Sequence, residues 1–223
     1  MKYPREGQIL LILDPSGSSI GWTIAYLKAG TFQITNSGAL MASSSWDLGR
    51  RLNYMYKGVK HLVQTFKVNL IVSEEAIVAH GMAGAAVVPT IVNNLKMLTW
   101  DLQGGLELKT MHVDKWRKLL CISGVPAFDK KGKMITNKRG KQKKDFKVPT
   151  AQKVEEMLKF KLPAQILDNR SLKLKDLKND VSDSLAIAIA YGMELGYPKI
   201  QADKDLFTKD ETILAIKALF MMK

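Results

Sequence analysis

The sequence predicts an α/β fold: a mixed five-stranded sheet, three antiparallel strands followed by two parallel ones, flanked by helices. Two observations carry this prediction. Three apolar segments of strand length follow one another near the start, separated by short Gly-containing breaks. Helix-period and strand-period segments then alternate along the rest of the chain.

Residues 9–13 (ILLIL) form a continuous apolar run, as a strand buried on both faces requires. Gly17 and Gly21 bracket a tight turn, WTIAYL (22–27) is a second strand, and Gly30 separates it from a third, FQITNSGAL (32–40). Ser44 and Ser45 are candidate N-caps for a helix in which Leu48, Leu52, Met55, Val59, Leu62, Val63 and Phe66 recur at helical spacing. LIVS (70–73) is a short buried strand ending at Glu74 and Glu75. Beyond a Gly- and Ala-rich loop, a helix over 89–103 puts Ile91, Leu95, Leu98 and Leu102 on one face, either core or a dimer surface. LELKTMHV (106–113) alternates as a fifth strand, and Asp114 caps a short helix carrying Trp116, Leu119 and Leu120.

A basic segment then intervenes. Thr150 opens a helix with Val154, Met157 and Leu158 inward, stopped before Pro163. A Lys-rich connection leads to a helix from about Asp180 to Leu195, dense in Ala, Leu and Ile. The capping box Thr208-x-x-Glu211 and the apolar Ile213, Leu214, Ile216, Leu219 and Phe220 signal a last helix. The expected organisation is one domain over 1–196, interrupted by a basic insertion at about 126–148, with a helical extension over 197–223.

Composition narrows the function. The net charge is +13 and the pI about 9.7, which favours polyanionic partners, nucleic acid first. From Asp129 to Lys147, nine Lys or Arg stand against two Asp, so seven of the thirteen excess charges sit in one stretch. Such a stretch, poor in apolar residues, is expected to be a flexible arm that tracks phosphates and orders on binding. The basic segment lacks the Leu or Trp of a membrane-binding amphipathic face. No apolar run approaches the roughly 20 residues that span a bilayer, and MKYPREGQ is not a signal peptide. One cysteine, Cys121, excludes an intramolecular disulfide and suits a reducing cytoplasm; its LLCI context predicts a buried structural thiol.

Four carboxylates stand where chemistry would need them. Asp14 ends the first strand. Glu74 ends the fourth and shares a face with Val72 and Leu70, while Glu75 points the other way. Asp180 and Asp183, three apart, project from one side of the first turn of an apolar helix. Neighbouring first and fourth strands would set Asp14 beside Glu74, and the helix could bring the other two to the same point. Acids that close need compensation, and an oxygen-only donor set suits Mg²⁺ or Mn²⁺. Two such ions can drive phosphodiester hydrolysis with water as nucleophile. Taken one at a time, each acid also fits a turn former, a helix cap or a dipole partner. The sequence holds no Walker A loop, no zinc-spaced Cys/His set and no Ser–His–Asp pattern.

These residues carry a resemblance. LILDPSGSSIGWTI (11–24), LIVSEEAI (70–77) and NDVSDSLAIAIAYG (179–192) resemble, in order, the three acidic motifs of RuvC-type Holliday junction resolvases, and span roughly residues 8–195. The resemblance implies a ribonuclease H-like fold, with Asp14, Glu74, Asp180 and Asp183 as metal-binding catalytic acids for two Mg²⁺ per site, Mn²⁺ substituting. It further implies a homodimer that nicks opposing strands symmetrically across a four-way DNA junction. Where bacterial members often carry an aromatic after the catalytic Glu, this chain has Ile77; His80 and Met82 lie in the same loop. The basic insertion and the tail are similar to elaborations of phage or viral members, which implies action in a host cytoplasm.

Candidate DNA contacts are Arg117, where the family places a basic residue on the scissile phosphate, and Lys130, Lys131, Lys138, Arg139, Lys141, Lys143, Lys144 and Lys147. Lys115 and Lys118 flank Trp116, which reads first as core. LKLKDLK (172–178) is a further phosphate-holding candidate or a solvated connection, and His61 and His112 read as structural. Other readings stay open: a flap, fork or RNA–DNA hybrid nuclease of the same fold, or an inactive junction-binding module. An actin-like ATPase is disfavoured by the Asp-x-x-Asp helix and by a length near half of what that fold needs.

Overall fold

The computed structural model describes residues 7–28, 30–75, 87–102, 105–129, 131–136 and 140–222. The first three strands, β1 (Ile9–Pro15), β2 (Ser19–Lys28) and β3 (Thr31–Met41), form an antiparallel meander. Helix α1 (Leu48–Phe66) crosses to β4 (Leu70–Glu74), which lies parallel to β1. Helix α2 (Val87–Asp101) crosses to β5 (Glu107–Met111), parallel to β4. Then follow α3 (Val113–Leu119), the short pair β6 (Val125–Pro126) and β7 (Lys144–Asp145), and α4 (Lys147–Leu158). The hairpin β8 (Ile166–Asp168) and β9 (Lys173–Lys175) precedes α5 (Lys178–Glu194), β10 (Lys199–Ala202) and α6 (Asp210–Met221). The main sheet has six strands, ordered β10-β3-β2-β1-β4-β5. The three-antiparallel, two-parallel core is as expected. The sixth strand, β10, adds parallel to the β3 edge; its polar KIQA sequence is too short to show a strand period.

Side chains alternate across this sheet into two cores. Leu10, Ile12, Leu70 and Val72 pack with α5, whose buried run Leu185–Ala190 fills that face. Leu11, Leu13, Trp22 and Ile71 pack on the other face with α1, α2 and α6. Ile91, Leu95 and Leu98 belong to this second core, so the α2 face offered as a dimer surface is interior. The tail is part of the same body: α6 sets Ala215, Ile216 and Leu219 into the second core, and Tyr54 donates to the Leu219 carbonyl at 2.8 Å. No helix among the described residues is long and apolar enough to cross a membrane.

Several local expectations are corrected. Helix α1 is capped by Asp47, whose carboxylate accepts from Arg50 N at 2.8 Å, not by Ser44 or Ser45, and Leu48 in its first turn is exposed. His112, not Asp114, caps α3: its Nδ1 accepts from Asp114 N. Helix α4 opens at Lys147, three residues before Thr150, because Pro149 is tolerated in a first turn whose N–H groups have no intrahelical partner. The Thr208 hydroxyl turns back to the Asp205 carbonyl, so the capping box does not form, and Leu214 is 63% exposed. Cys121 is exposed: it adopts a left-handed φ of +54° after α3, which turns its side chain outward while Leu120 goes inward. LKLKDLK contributes strand β9 instead of remaining a plain connection.

The described residues of the basic segment, expected as a flexible arm, form a small knob. Ala127 N donates to the Lys143 carbonyl at 3.0 Å, Lys143 N to the Ile135 carbonyl at 2.8 Å, and Ile135 N to the Ala127 carbonyl at 2.8 Å. Three backbone segments are thereby closed into a ring above the two-residue neck of β6 and β7. Asp129 supplies a turn, its carboxylate accepting from Lys131 N and Lys133 N.

Candidate active site

Parity along the strands decides where the acids go. Asp14 follows Leu10 and Ile12 onto the α5 face, and Glu74 follows Leu70 and Val72 onto the same face. The parallel register pairs Leu13 with Ser73, so Asp14 and Glu74 come next on adjacent strand ends. Glu75 lies on the opposite face, lining a groove with Asn93, Lys96 and Trp100 of α2.

Asp180 and Asp183 arrive from the first turn of α5, and a close approach of backbones fixes that turn. Gly21 pairs across the meander with Asp14 and lies under Asp180: a Cβ added there would sit 1.7 Å from the Asp180 carbonyl oxygen. Gly21 is thus inside β2, and its role is contact with the helix instead of a turn. The Ser19 hydroxyl donates to Asp180 Oδ1 at 2.8 Å, and one turn deeper Thr23 and Ser184 share a hydrogen bond of 2.9 Å. A buried polar seam between β2 and α5 therefore sets the helix in register.

The third wall is α3. Trp116 is fully buried in the core, as expected, but its indole Nε1 also donates to Glu74 Oε2 at 2.9 Å. Next to it, the Arg117 guanidinium stacks over the Trp116 ring at 5.0 Å and the Phe146 ring at 4.1 Å. Among the described residues its buried Nε has no hydrogen-bond partner.

The electrostatics follow from this crowding. Burial pushes the Asp14 carboxyl well above 3.8, and Asp183, Glu74 and Asp180 push it further, with Arg117 opposing. Burial, followed by the charge on Glu74, raises Asp183 to about 7 against the pull of Arg117 and Lys147. Burial also raises Glu74, offset by the Trp116 hydrogen bond and by Arg117 and His112. The structure thus brings together Asp14, Glu74, Asp180, Asp183 and Arg117, with Lys147 within electrostatic reach. Lys131, Lys141, Lys143 and Lys144 are exposed on the knob. Lys130, Lys138 and Arg139 fall outside the described residues, as do Ile77, His80 and Met82. His61 pairs with Thr65 on α1, and burial lowers its pKa; neither places it at the acids.

Ser19 and Gly21 are the residues that sequence reasoning missed. Parity places both on the face of β2 that carries Thr23, but the pairing of that face with α5 is long-range.

A stability prediction follows from the raised acids. A carboxyl whose folded pKa exceeds its unfolded value stabilises the fold while protonated, and that contribution is lost as pH rises through the folded pKa. For Asp183 the window runs from 3.8 to about 7. In chelator, the melting temperature should therefore fall between about pH 4 and pH 7, by an amount equivalent to about 2 kcal/mol or more. A flat profile over that range would mean that the acids do not strain the metal-free fold.

No family model matches the chain. It is 26% identical over 68 residues to a crossover junction endodeoxyribonuclease RuvC from Rubrobacter xylanophilus, covering 30% of this chain and 38% of that protein. It is 31% identical over 67 residues to the RuvC of Dictyoglomus thermophilum, covering 30% and 42%. The matched segments thus span about two-fifths of these relatives' length. The structure of Thermus thermophilus RuvC in complex with a Holliday junction substrate superposes with a TM-score of 0.56 at 12% identity, covering 86% of this chain and 99% of that one. The chain therefore has the RuvC-type, ribonuclease H-like fold that its motifs implied.

Proposed function

We propose that this chain is a metal-dependent endodeoxyribonuclease that resolves four-way DNA junctions, nicking opposing strands symmetrically as a homodimer. The convergence of Asp14, Glu74, Asp180 and Asp183 on one end of the sheet, beside Arg117, carries this reading. The donor set fits Mg²⁺, with Mn²⁺ as a substitute: every donor is a hard carboxylate oxygen, and the mutual repulsion that raises the acids is what a bound cation relieves. Among the described residues no three His, Cys, Asp or Glu side chains stand close enough to hold an ion as placed, so binding entails their drawing together.

Asp14 and Glu74 from the strand ends, with Asp180 and Asp183 from α5, would hold two ions. Bound divalent cations would supply electrophilic assistance to hydrolysis of a phosphodiester by water. The protein's own groups do the rest. Ser19 orients Asp180 and Trp116 orients Glu74. Arg117 presents a half-buried guanidinium whose buried Nε–H is a spare donor, suited to the charge that develops on the phosphate. Lys147 and the knob lysines Lys131, Lys141, Lys143 and Lys144 extend a cationic surface away from the acids for the DNA backbone.

The test is cleavage of a labelled synthetic four-way junction beside linear duplex, flap and fork DNA, with Mg²⁺, with Mn²⁺ and with chelator. Paired symmetric nicks at the junction that chelator abolishes are expected. Equal cutting of flaps and forks would widen the substrate to branched DNA in general. Binding without any cutting would leave an inactive junction-binding module.

Removing the indole N–H tests the support of Glu74. Trp116→Phe keeps most of the buried ring but leaves Glu74 Oε2 without its donor. Loss of such an outer partner typically costs 10- to 100-fold in metal affinity or activity. The expected result is a rise of about 10-fold in the Mg²⁺ concentration for half-maximal cleavage. An unchanged metal titration would mean that Trp116 serves packing alone.

A further inference from the structure

The knob above β6 and β7 carries more than charge. Phe128 and Met134 face each other across a bridge pair, and both remain exposed, at 55% and 48%. Val125, at the neck, is 45% exposed. An exposed apolar pair is unexpected in a segment whose charged side chains are mostly lysine, and it packs against nothing in the core clusters. Around it lie the exposed Lys131, Lys133, Lys141, Lys143 and Lys144.

The knob is rooted at the acid cluster. Gly124 packs so tightly on Phe146 that an added Cβ would lie 2.8 Å from its ring. Phe146 in turn carries Arg117, which faces Asp14, Glu74 and Asp183. Phe128 stands two residues beyond the neck, roughly 7 Å along an extended chain. An aromatic ring among cations, on a knob whose neck packs on the Phe146–Arg117 stack beside the acids, matches one chemistry: a base with an open face, flanked by phosphates. A linear duplex offers no such face along its length, whereas a branch point does.

We propose that the knob is a branch-reading element, in which Phe128, backed by Met134, stacks on an unstacked base at the DNA branch while the lysines hold its flanking phosphates. This inference rests on branched DNA being the substrate. It assigns discrimination to the ring and affinity to the lysines, because phosphate contacts are blind to structure along the helix whereas stacking needs an open base.

The experiment measures binding in chelator, so that it does not depend on cutting. Wild type, Phe128→Ala, Phe128→Tyr and the double variant Lys143→Gln/Lys144→Gln are titrated against a four-way junction and a linear duplex of the same length, over a range of salt. Phe128→Ala should weaken junction binding about 10-fold, leave duplex binding unchanged and keep the salt slope. Phe128→Tyr, which retains a ring, should behave as wild type. The lysine variant should weaken both DNAs together and flatten the salt slope by roughly two phosphate contacts. If Phe128→Ala keeps the wild-type preference for the junction, this proposal is overturned and the substrate reading stands. A wild type that holds junction no better than duplex overturns both. Should Phe128→Ala instead shift the monomer–dimer balance in sedimentation with junction preference intact, the ring serves self-association and the proposal is likewise overturned.

Discussion

Asp14→Asn is expected to abolish junction cleavage while raising the melting temperature of the protein held in chelator. The two effects have one cause. Asp14 ends β1 with a carboxyl whose pKa is raised by burial and then by Asp183, Glu74 and Asp180, so the fold disfavours its ionised form. Asparagine keeps the shape and removes the charge. Stability should rise by about 1–2 kcal/mol at high pH, and the gain should shrink as pH falls and the aspartate takes up its proton. Cleavage should fall by about 100- to 1,000-fold or more, because a neutral amide oxygen is a poor ligand for a hard cation and leaves the remaining acids short of one charge. Thermal melts with and without chelator, run beside the junction assay, read both effects. A variant that loses activity and also melts lower would place Asp14 in the architecture instead of the chemistry.

The acids were legible because each obeys a local rule. Strand parity places Asp14 and Glu74, and helical spacing places Asp180 and Asp183; the only further requirement is that β1 and β4 be neighbours, which a right-handed crossover through α1 provides. What could not be read is what local rules do not reach. The Trp116–Glu74 hydrogen bond joins residues 42 apart, and the Ser19–Asp180 bond joins residues 161 apart. In the sequence both donors carry a sufficient local reading, Trp116 as core and Ser19 as turn. Strand β10 and the β8–β9 hairpin are four and three residues per strand, below the length at which a period of two can be told from chance. The knob escaped for another reason. Lysine density and few apolar residues argue for a flexible arm, whereas the backbone hydrogen bonds among three short segments and the Asp129 turn depend on pairing that composition does not encode.

Gly21 is where fold and chemistry meet most closely, and Gly21→Ala should damage both. Most glycines that keep a helix close to a sheet face a flexible side chain that can move aside. Here the obstacle is main chain: the new methyl would stand 1.7 Å from the Asp180 carbonyl oxygen and 2.8 Å from its carbonyl carbon. Neither atom can move without shifting the first turn of α5 off the sheet. That shift would stretch the Ser19–Asp180 and Thr23–Ser184 bonds and carry Asp180 and Asp183 away from Asp14 and Glu74. Overpacking of this kind costs about 3 kcal/mol, which in a domain of this size lowers the melting temperature by roughly 6–12 °C. Cleavage should drop by about 100-fold, since a 1 Å misplacement is enough for that loss. Retention of both stability and cleavage would show that α5 does not rest on β2 at Gly21. The four acids would then owe their convergence to the other contacts of α5, those with β1 and β3 of the sheet and with α3 and α4.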